Sequence, residues 1–325
     1  MKRSQIGDTV TEYLRKYPTL PTQRIARMIY EIHPEYGTQE TIRLRIRYYR
    51  GALGTRHREV GSGEFFNQPY DLPIADTYDS SPFEIRERCG LVLADAHFPY
   101  QDNEVIKTAL DWAKQHNKKH KIEFILLNGD TIDMYATSHF IRDPRKRRIA
   151  EEIEDVKDFL GTLKDTFKVP IYYKESNHER RFENYLYTHA EALVGIKEFK
   201  LEKVLHLDEY NCTLIGNKRV IRFGHLNIIH GDEFQRGMGN PVNPARTIFL
   251  KAKEPTLVAH SHVTSEHSGR TIGRKLITCW SMGSLCQLNP EYAPMNDWNN
   301  GVAFIERDKD IFRVVNLRIE NGTVY

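Results

Sequence analysis

Five apolar runs in this chain end at residues that can ligate a metal ion, and nothing else in the sequence restricts the fold as strongly. The endings are Asp95-Ala96-His97, Gly129-Asp130-Thr131-Ile132-Asp133, Asn177-His178-Glu179, His230-Gly231-Asp232 and His260-Ser261-His262. The runs before them are short and rich in β-branched or large apolar side chains, the pattern of buried strands. In an open α/β sheet the loops beyond the strand ends share one edge, and ligands bind there. Segments distant in sequence are therefore expected to meet at one site.

The strand-like runs at 90–94, 122–127 and 169–173 alternate with helical patterns. One helix passes through Val105, Leu110 and Trp112, a charged one covers about 146–166, and a third about 179–194. Further short strands are expected at 220–223, 226–229 and 256–259, and a hairpin joins 302–306 to 311–315. Alternating units that give way to strands predict a layered α/β/β/α sandwich over residues 89–325.

The first 55 residues follow another pattern. Val10, Tyr13, Leu14 and Tyr17 keep helical spacing before Pro18, and Ile25, Met28, Ile29 and Ile32 line a second helix opened by Pro21. Thr38 stands at the N-cap of a third, where Ile42, Ile46, Tyr49 and Leu53 form an apolar stripe. Arg43, Arg47 and Arg50 project beside that stripe and are the candidate nucleic-acid contacts. A Gly-containing turn before a basic last helix resembles a helix-turn-helix unit. A three-helix docking module for protein explains the same pattern. Residues 56–88, with Gly61, Gly63, Pro69, Pro73 and Pro82, lack sustained periodicity and read as a linker or strap.

Charge separates these regions. Residues 1–60 hold twelve Lys and Arg against six Asp and Glu, while the remainder holds 35 against 38. A basic head on a faintly acidic body points to a polyanion as the partner of the head. No apolar run reaches the roughly 18–20 residues of a membrane span, and the N-terminus lacks the apolar core of a signal peptide. Cys89, Cys212, Cys279 and Cys286 show no Cys-x-x-Cys spacing, which argues against a zinc ribbon or a disulfide framework. A cytoplasmic setting is expected.

Each ending offers donors of a particular kind. Asp95 and His97 can face one ion from a bent strand exit. Asp130 has two oxygens with which to bridge two ions, and Gly129 permits close backbone approach. Asn177 offers an amide oxygen, and His230, His260 and His262 offer imidazole nitrogens. Mixed imidazole and carboxylate donors suit Mn²⁺, Fe or Zn²⁺ better than Ca²⁺ or Mg²⁺. Two such ions about 3.5–4 Å apart can hold and activate a phosphate ester.

The ordered set Asp-x-His, Gly-Asp-x-x-Asp, Asn-His-Glu, His and His-x-His resembles the calcineurin-like metallophosphoesterase superfamily over about residues 89–317. The resemblance implies that Asp95, His97 and His262 bind one metal. It implies that Asn177, His230 and His260 bind a second, and that Asp130 bridges them. His178 is then a catalytic non-ligand over the phosphate, with Asp133 as its hydrogen-bond partner. Two divalent metal ions are implied, Mn²⁺ first, with Fe or Zn²⁺ as alternatives. Residues 280–301 resemble members encoded by phages and prophages.

Two motifs depart from the usual pattern. Ser176 stands where Gly commonly precedes Asn-His, and Ala259 with Ser261 replaces the frequent Gly-His-Thr-His. Met134-Tyr135 stands where phosphoprotein phosphatases carry Arg-Gly, which counts against a protein phosphatase. Arg180 and Arg181, directly after Asn-His-Glu, are candidate substrate contacts, and the basic run Arg142, Arg145, Lys146, Arg147 and Arg148 could take further phosphates of a polymer. The leading expectation is a phosphodiesterase or nuclease acting on DNA, in the host cytoplasm if phage-encoded. The alternative is a phosphomonoesterase on a protein, nucleotide or small molecule, with the helices as an interaction module. A scaffold with a relict metal site is disfavoured by the complete ligand set.

Overall fold

The computed structural model describes residues 5–52, 81–118, 121–139, 143, 148–216, 218–234, 237–239, 241–291, 293–309 and 311–325. The chain divides into two compact units, Met1–Tyr78 and Asp79–Tyr325.

The first unit holds helices α1 (Gln5–Lys16), α2 (Thr22–Ile32) and α3 (Gln39–Tyr49). Val10, Leu14, Ile25, Ile29, Ile42 and Ile46 are wholly buried in one shared core, as the helical spacing predicts. Thr38 caps α3, its hydroxyl accepting from the Thr41 amide at 3.2 Å. One expectation is corrected here. Arg50 does not project beside the stripe: it is buried, and its guanidinium donates to the Thr22 hydroxyl at 2.8 Å and the Leu20 carbonyl at 2.5 Å. Burial lowers its pKa to about 10. The side chain pins the end of α3 to the turn before α2, so it cannot also face a polyanion. Arg43 is half-buried and bonds Glu40 at 2.7 Å, whereas Arg45 and Arg47 are exposed. Leu53 and residues 56–80 lie outside the described residues.

In the second unit the strands are β1 (Phe83–Glu84), β2 (Cys89–Leu93), β3 (Phe124–Leu127), β4 (Ile171–Lys174), β5 (Cys212–Ile215), β6 (Ile221–Phe223) and β7 (Leu226–Ile229). They continue as β8 (Thr256–Val258), β9 (Ser265–Arg270), β10 (Leu276–Ser281), β11 (Asn300–Asp308), β12 (Ile311–Glu320) and β13 (Thr323–Val324). The helices are α4 (Asn103–Asn117), α5 (Ile149–Phe167), α6 (Arg180–His189), α7 (Leu201–Val204) and α8 (Pro244–Ala252). One sheet has the order β13-β12-β11-β2-β3-β4-β5 and the other β1-β6-β7-β8-β10-β9. Strands β2 to β5 are parallel, and β11 joins β2 antiparallel.

The layers follow from alternation along the strands. Leu91, Leu93, Ile125 and Leu127 pack with Ile106, Ala109, Val156 and Leu160 of α4 and α5. Val92, Phe124, Leu126 and Ala303 turn the other way and meet Ile221, Phe223, Ile228 and Leu257 of the second sheet. Ile248 of α8 covers the far side of that sheet with Ile229, Val258 and Cys279. The result is the α/β/β/α sandwich that the apolar runs predict.

Other parts departed from the sequence pattern for identifiable reasons. β9 is polar and alternates between half-buried and exposed, so it has no apolar run to betray it; its register comes from pairing with β10. α8 is short, with Pro244 in its first turn and the Asn243 side chain capping Arg246 at 2.9 Å. Residues 83–85, read as part of a strap, add an edge strand: the Phe83 amide bonds Val220 at 2.8 Å and the Ile85 amide bonds Arg222 at 3.0 Å. Among the described residues, no helix is long and apolar enough to cross a membrane.

Candidate dinuclear metal centre

Five loops form the site, those after β2, β3 and β4 in one sheet and after β7 and β8 in the other. Their backbones turn sharply. Asp95 (φ 54°), His97 (50°), Asp130 (49°), His260 (67°) and His262 (55°) all adopt the left-handed conformation that non-glycine residues rarely take. Such strain persists only where surrounding structure enforces it, and it gathers at functional sites. Two glycines admit the imidazoles. A Cβ on Gly129 (φ 89°) would lie 2.4 Å from His230 Nδ1, and one on Gly231 (φ 138°) would lie 2.9 Å from the His260 Cβ.

The donor atoms fall into two groups. Those of Asp95, His97 and His262 lie within 4.8 Å of one another, as do those of Asp130, His230 and His260. In the first, His262 Nε2 is 3.3 Å from Asp95 Oδ1 and 3.2 Å from His97 Nε2. In the second, His230 Nε2 is 3.1 Å from His260 Nδ1 and 3.3 Å from Asp130 Oδ2. The same Asp130 oxygen is 3.6 Å from His97 Nε2, so its carboxylate reaches both groups. Asn177 completes the set in another way. Its Oδ1 is buried without a hydrogen-bond partner, while its neighbours both touch Asp130: the Ser176 hydroxyl donates to the carboxylate, and the His178 amide lies 3.4 Å from it. A buried amide oxygen without a donor is costly, and a cation is a partner of the required sign.

The far sides of the rings are occupied. His230 Nδ1 donates to the Asn128 carbonyl at 2.9 Å, which leaves the Nε2 lone pair facing the site. His97 Nδ1 lies 3.3 Å from Asp133, and His262 Nδ1 lies 3.7 Å from the Cys286 sulfur. Such partners fix ring orientation and tautomer in metal-ligating histidines. Electrostatics agrees with a site built for cations. Burial pushes the His262 imidazolium down, but the Asp95 carboxylate outweighs it and lifts the pKa to about 10. Burial likewise opposes ionisation of Asp130, yet His178 and His230 hold it well below the ordinary carboxyl range. The carboxylates thus draw protons onto His230 and His262, and cation binding there must release them. The residues fit two divalent ions of the imidazole-preferring kind.

His97, Asp133 and His178 form a third close group, held by Asp133. His178 Nδ1 lies 3.1 Å from Asp133 Oδ1 and 3.0 Å from the Asp133 carbonyl. Its Nε2 faces Asp130 Oδ2 at 3.7 Å and accepts from Arg181 Nη2 at 3.0 Å. Burial lowers the pKa of His178, but Asp130 and Asp133 outweigh it and hold it above the ordinary value. Arg181 also donates to the Asp133 carbonyl at 2.8 Å, and Arg180 bonds Asp232. The structure therefore holds Arg181 against His178 and Asp133, and Arg180 against the loop after β7. Of the basic run, Arg148 is exposed at the start of α5, while Arg142, Arg145, Lys146 and Arg147 lie outside the described residues.

Two carboxylates behind the site escaped the sequence reading, Glu179 buried and Glu233 mostly so. Glu179 accepts from the amides of Thr131 (2.9 Å), Ser176 (3.0 Å) and Asp130 (3.2 Å) and from the Tyr173 hydroxyl (3.0 Å), tying the loop after β4 to the loop after β3. Its place in Asn-His-Glu was the one available signal. Glu233 accepts from the amides of His230 (2.9 Å) and Gly231 (2.7 Å) and pairs with the buried Lys174 at 2.9 Å. Burial raises its pKa, but Lys174 pulls it down to about 2. Ser176, the departure from Gly, places its hydroxyl on both Asp130 and Glu179.

Glu152 of α5 behaves differently. It is wholly buried, accepts from the Tyr135 amide at 3.2 Å, and has one oxygen without a partner. Burial, then repulsion from Asp133, raises its pKa from 4.5 to about 8. The folded state thus keeps a proton that the unfolded chain loses. The corresponding stability is complete below about pH 4.5 and is lost as pH rises towards 8. Glu152→Gln, neutral throughout, is expected to melt progressively higher than the wild type as pH rises across that window. Parallel melting curves in thermal denaturation would refute this.

No protein-family model matches the chain. It is 21% identical over 230 residues to the "Gene 54 protein" of Mycobacterium phage L5, covering 67% of this chain and 88% of that protein. Among solved structures it is similar to vacuolar protein sorting 29 from Cryptosporidium parvum, at 11% identity and a TM-score of 0.39, over 73% of this chain and 94% of the other. It is also similar to the Pseudomonas putida nuclease MPE, at 12% identity and a TM-score of 0.31, over 66% and 83%. The donors, in this order along the chain, are gathered from two packed sheets around a shared aspartate.

Proposed function

We propose that this chain is a dinuclear metal-dependent phosphodiesterase acting on nucleic acid, with DNA as its first substrate. The observation that carries the hydrolytic reading is Asp130, whose carboxylate touches both donor groups while His178 stands beside it outside either group. Asp95, His97 and His262 would hold one cation and Asn177, His230 and His260 the other, with Asp130 shared. Bound there, Mn²⁺, Fe or Zn²⁺ would polarise the phosphoryl group and acidify a water.

The chain's own groups do the rest. Asp133 fixes the His178 ring through Nδ1, so that Nε2 faces Asp130 and can give a proton to the leaving oxygen of an ester held there. Arg181 donates to that nitrogen while it is neutral. A guanidinium cannot lose its proton, so once His178 is protonated the two donors repel unless an anionic oxygen lies between them. A phosphate ester supplies that oxygen. Arg180, at the same helix start, is the second candidate for the ester's phosphate.

The nucleic-acid reading rests on the basic first unit, where Arg43 and Arg47 remain on the outer side of α3, and on Met134-Tyr135 at the phosphatase Arg-Gly position. With Mn²⁺ present, kcat/KM for bis-p-nitrophenyl phosphate is expected to exceed that for p-nitrophenyl phosphate by about tenfold or more, a difference of ~1.4 kcal/mol in barrier. The opposite preference would sink the diesterase reading in favour of a phosphomonoesterase. Replacing Arg43 and Arg47 together by Ala in the full chain should weaken duplex DNA binding and flatten its salt dependence by roughly one unit per side chain, with turnover of the small diester as the folding control. Unchanged DNA affinity would move the helices to a protein-docking role. The similarity to a phage protein makes a host cytoplasm the setting we propose.

A further inference from the structure

We propose that Lys218 and Arg180 form a second phosphate site, which takes the strand phosphate next to the one being hydrolysed. The proposal rests on the phosphodiesterase reading and deepens it, since it makes a stretch of polynucleotide the ligand rather than an isolated ester. Three loops meet at this site. Arg180 opens α6, three residues after Asn177, and Asp232 follows His230 by two. Lys218 comes from the connection between β5 and β6. Two residues of chain span at most about 7 Å, so Asp232 stays close to His230 and the donors grouped with it.

One carboxylate here serves two cations. Arg180 Nη2 bonds Asp232, and Lys218 Nζ lies 3.6 Å from the same Oδ2 while donating to the Asp232 carbonyl at 3.2 Å. Among the described residues neither cation meets another carboxylate, so the group holds one positive charge in excess. A bridge that merely tied α6 to the loop after β7 needs a single cation. Both cations also keep donors in reserve. Arg180 Nη1 is buried and has no hydrogen-bond partner, a costly arrangement unless an acceptor arrives. The Lys218 ammonium has three N–H bonds, and its two contacts both go to Asp232. The Lys218 side chain is 46% exposed, against 19% for Arg180 and 11% for Asp232, so an anion meets the lysine first and the guanidinium beneath it. The planar guanidinium matches phosphate oxygens in geometry as well as in charge. In a strand the next phosphate is tethered to the hydrolysed one, so it reaches this site without a separate binding event. The arginine pair then divides its work: Arg181 stays beside His178, and Arg180 with Lys218 serves the neighbouring phosphate.

Nucleotides with one and two phosphates test this by binding. Thymidine 3′,5′-bisphosphate holds its phosphates as neighbours in a strand do, whereas thymidine 5′-phosphate and thymidine 3′-phosphate carry one each. By titration calorimetry on the Mn²⁺-loaded full chain, the bisphosphate should bind tighter than the better monophosphate by about fivefold or more, the upper end for one partly exposed ion pair. Lys218→Ala is expected to remove most of that advantage, Lys218→Arg to keep it, and Lys218→Glu to reverse it. Asp232→Asn, which takes away the competing carboxylate, should enlarge it. The advantage is a ratio within each variant, so a loss of metal that weakens all three ligands alike leaves it unchanged. No advantage in the wild type, an advantage that survives Lys218→Glu, or one that shrinks in Asp232→Asn overturns the site. Hydrolysis of thymidylyl-thymidine tests the underlying reading separately. A chain that shows the advantage but cleaves no diester keeps the phosphate site and loses the phosphodiesterase reading. A chain that cleaves the diester without the advantage keeps that reading and loses the site.

Discussion

Asp130→Asn is expected to cut turnover and metal loading together. The Asp130 Oδ2 atom lies 3.3 Å from His230, 3.6 Å from His97, 3.7 Å from His178 and 3.9 Å from His260, and the carboxylate is almost wholly buried. Oδ1 keeps the Ser176 hydroxyl as its donor, so an asparagine can retain its oxygen there only by pointing its NH₂ group into the donor cluster. Two N–H bonds then face the space that cations would share, and the one charge common to both donor groups is gone. Deleting a single electrostatic contact to a transition state costs about 10²–10³-fold, and this change removes such a contact along with a shared ligand. Diester hydrolysis should fall at least that far, and Mn²⁺ stoichiometry should drop from two to one or none. Activity within tenfold of the wild type, with two ions bound, would remove Asp130 from the bridging position.

His178→Ala is expected to separate chemistry from loading. The side chain lies outside both Asp130-linked donor groups, and its Nδ1 is tied to Asp133. Removal should leave two ions bound and cut kcat by about 10²–10⁴-fold, the usual contribution of a positioned acid or base. The defect should be smaller on p-nitrophenyl esters, whose leaving oxygen is a weak base, and larger on a dinucleotide, whose leaving alkoxide needs a proton. Loss of metal from the variant would instead make His178 a ligand, a role that the third close group with His97 and Asp133 makes worth measuring directly.

The legibility of these features varied for physical reasons. Strands β2, β3, β4, β7 and β8 were visible because buried strands are continuous apolar runs, and the donors were visible because they interrupt those runs. Arg50 was misread because helical spacing reports which face a residue is on, whereas the turn before α2 supplied a carbonyl and a hydroxyl that drew this guanidinium inward. Glu179 and Glu233 were overlooked because their partners are backbone amides, which every residue has and no motif records. β9 was missed because its register is held by backbone pairing with β10 rather than by an apolar face.

By itself the sequence determined which donors exist, their order, and the strand ends from which they project, because the apolar periodicity that builds a sheet also marks where the sheet stops. Only the tertiary structure decided that they form one centre. Asp95, Asp130 and Asn177 leave strands of one sheet, while His230, His260 and His262 leave strands of the other. Face-to-face packing of the sheets brings His97 within 3.2 Å of His262 across 165 residues. Left-handed turns at five of the donors, and the missing side chains of Gly129 and Gly231, then allow the imidazoles and carboxylates to close on a common point. Those distances depend on contacts between layers, and no local stretch of sequence contains them.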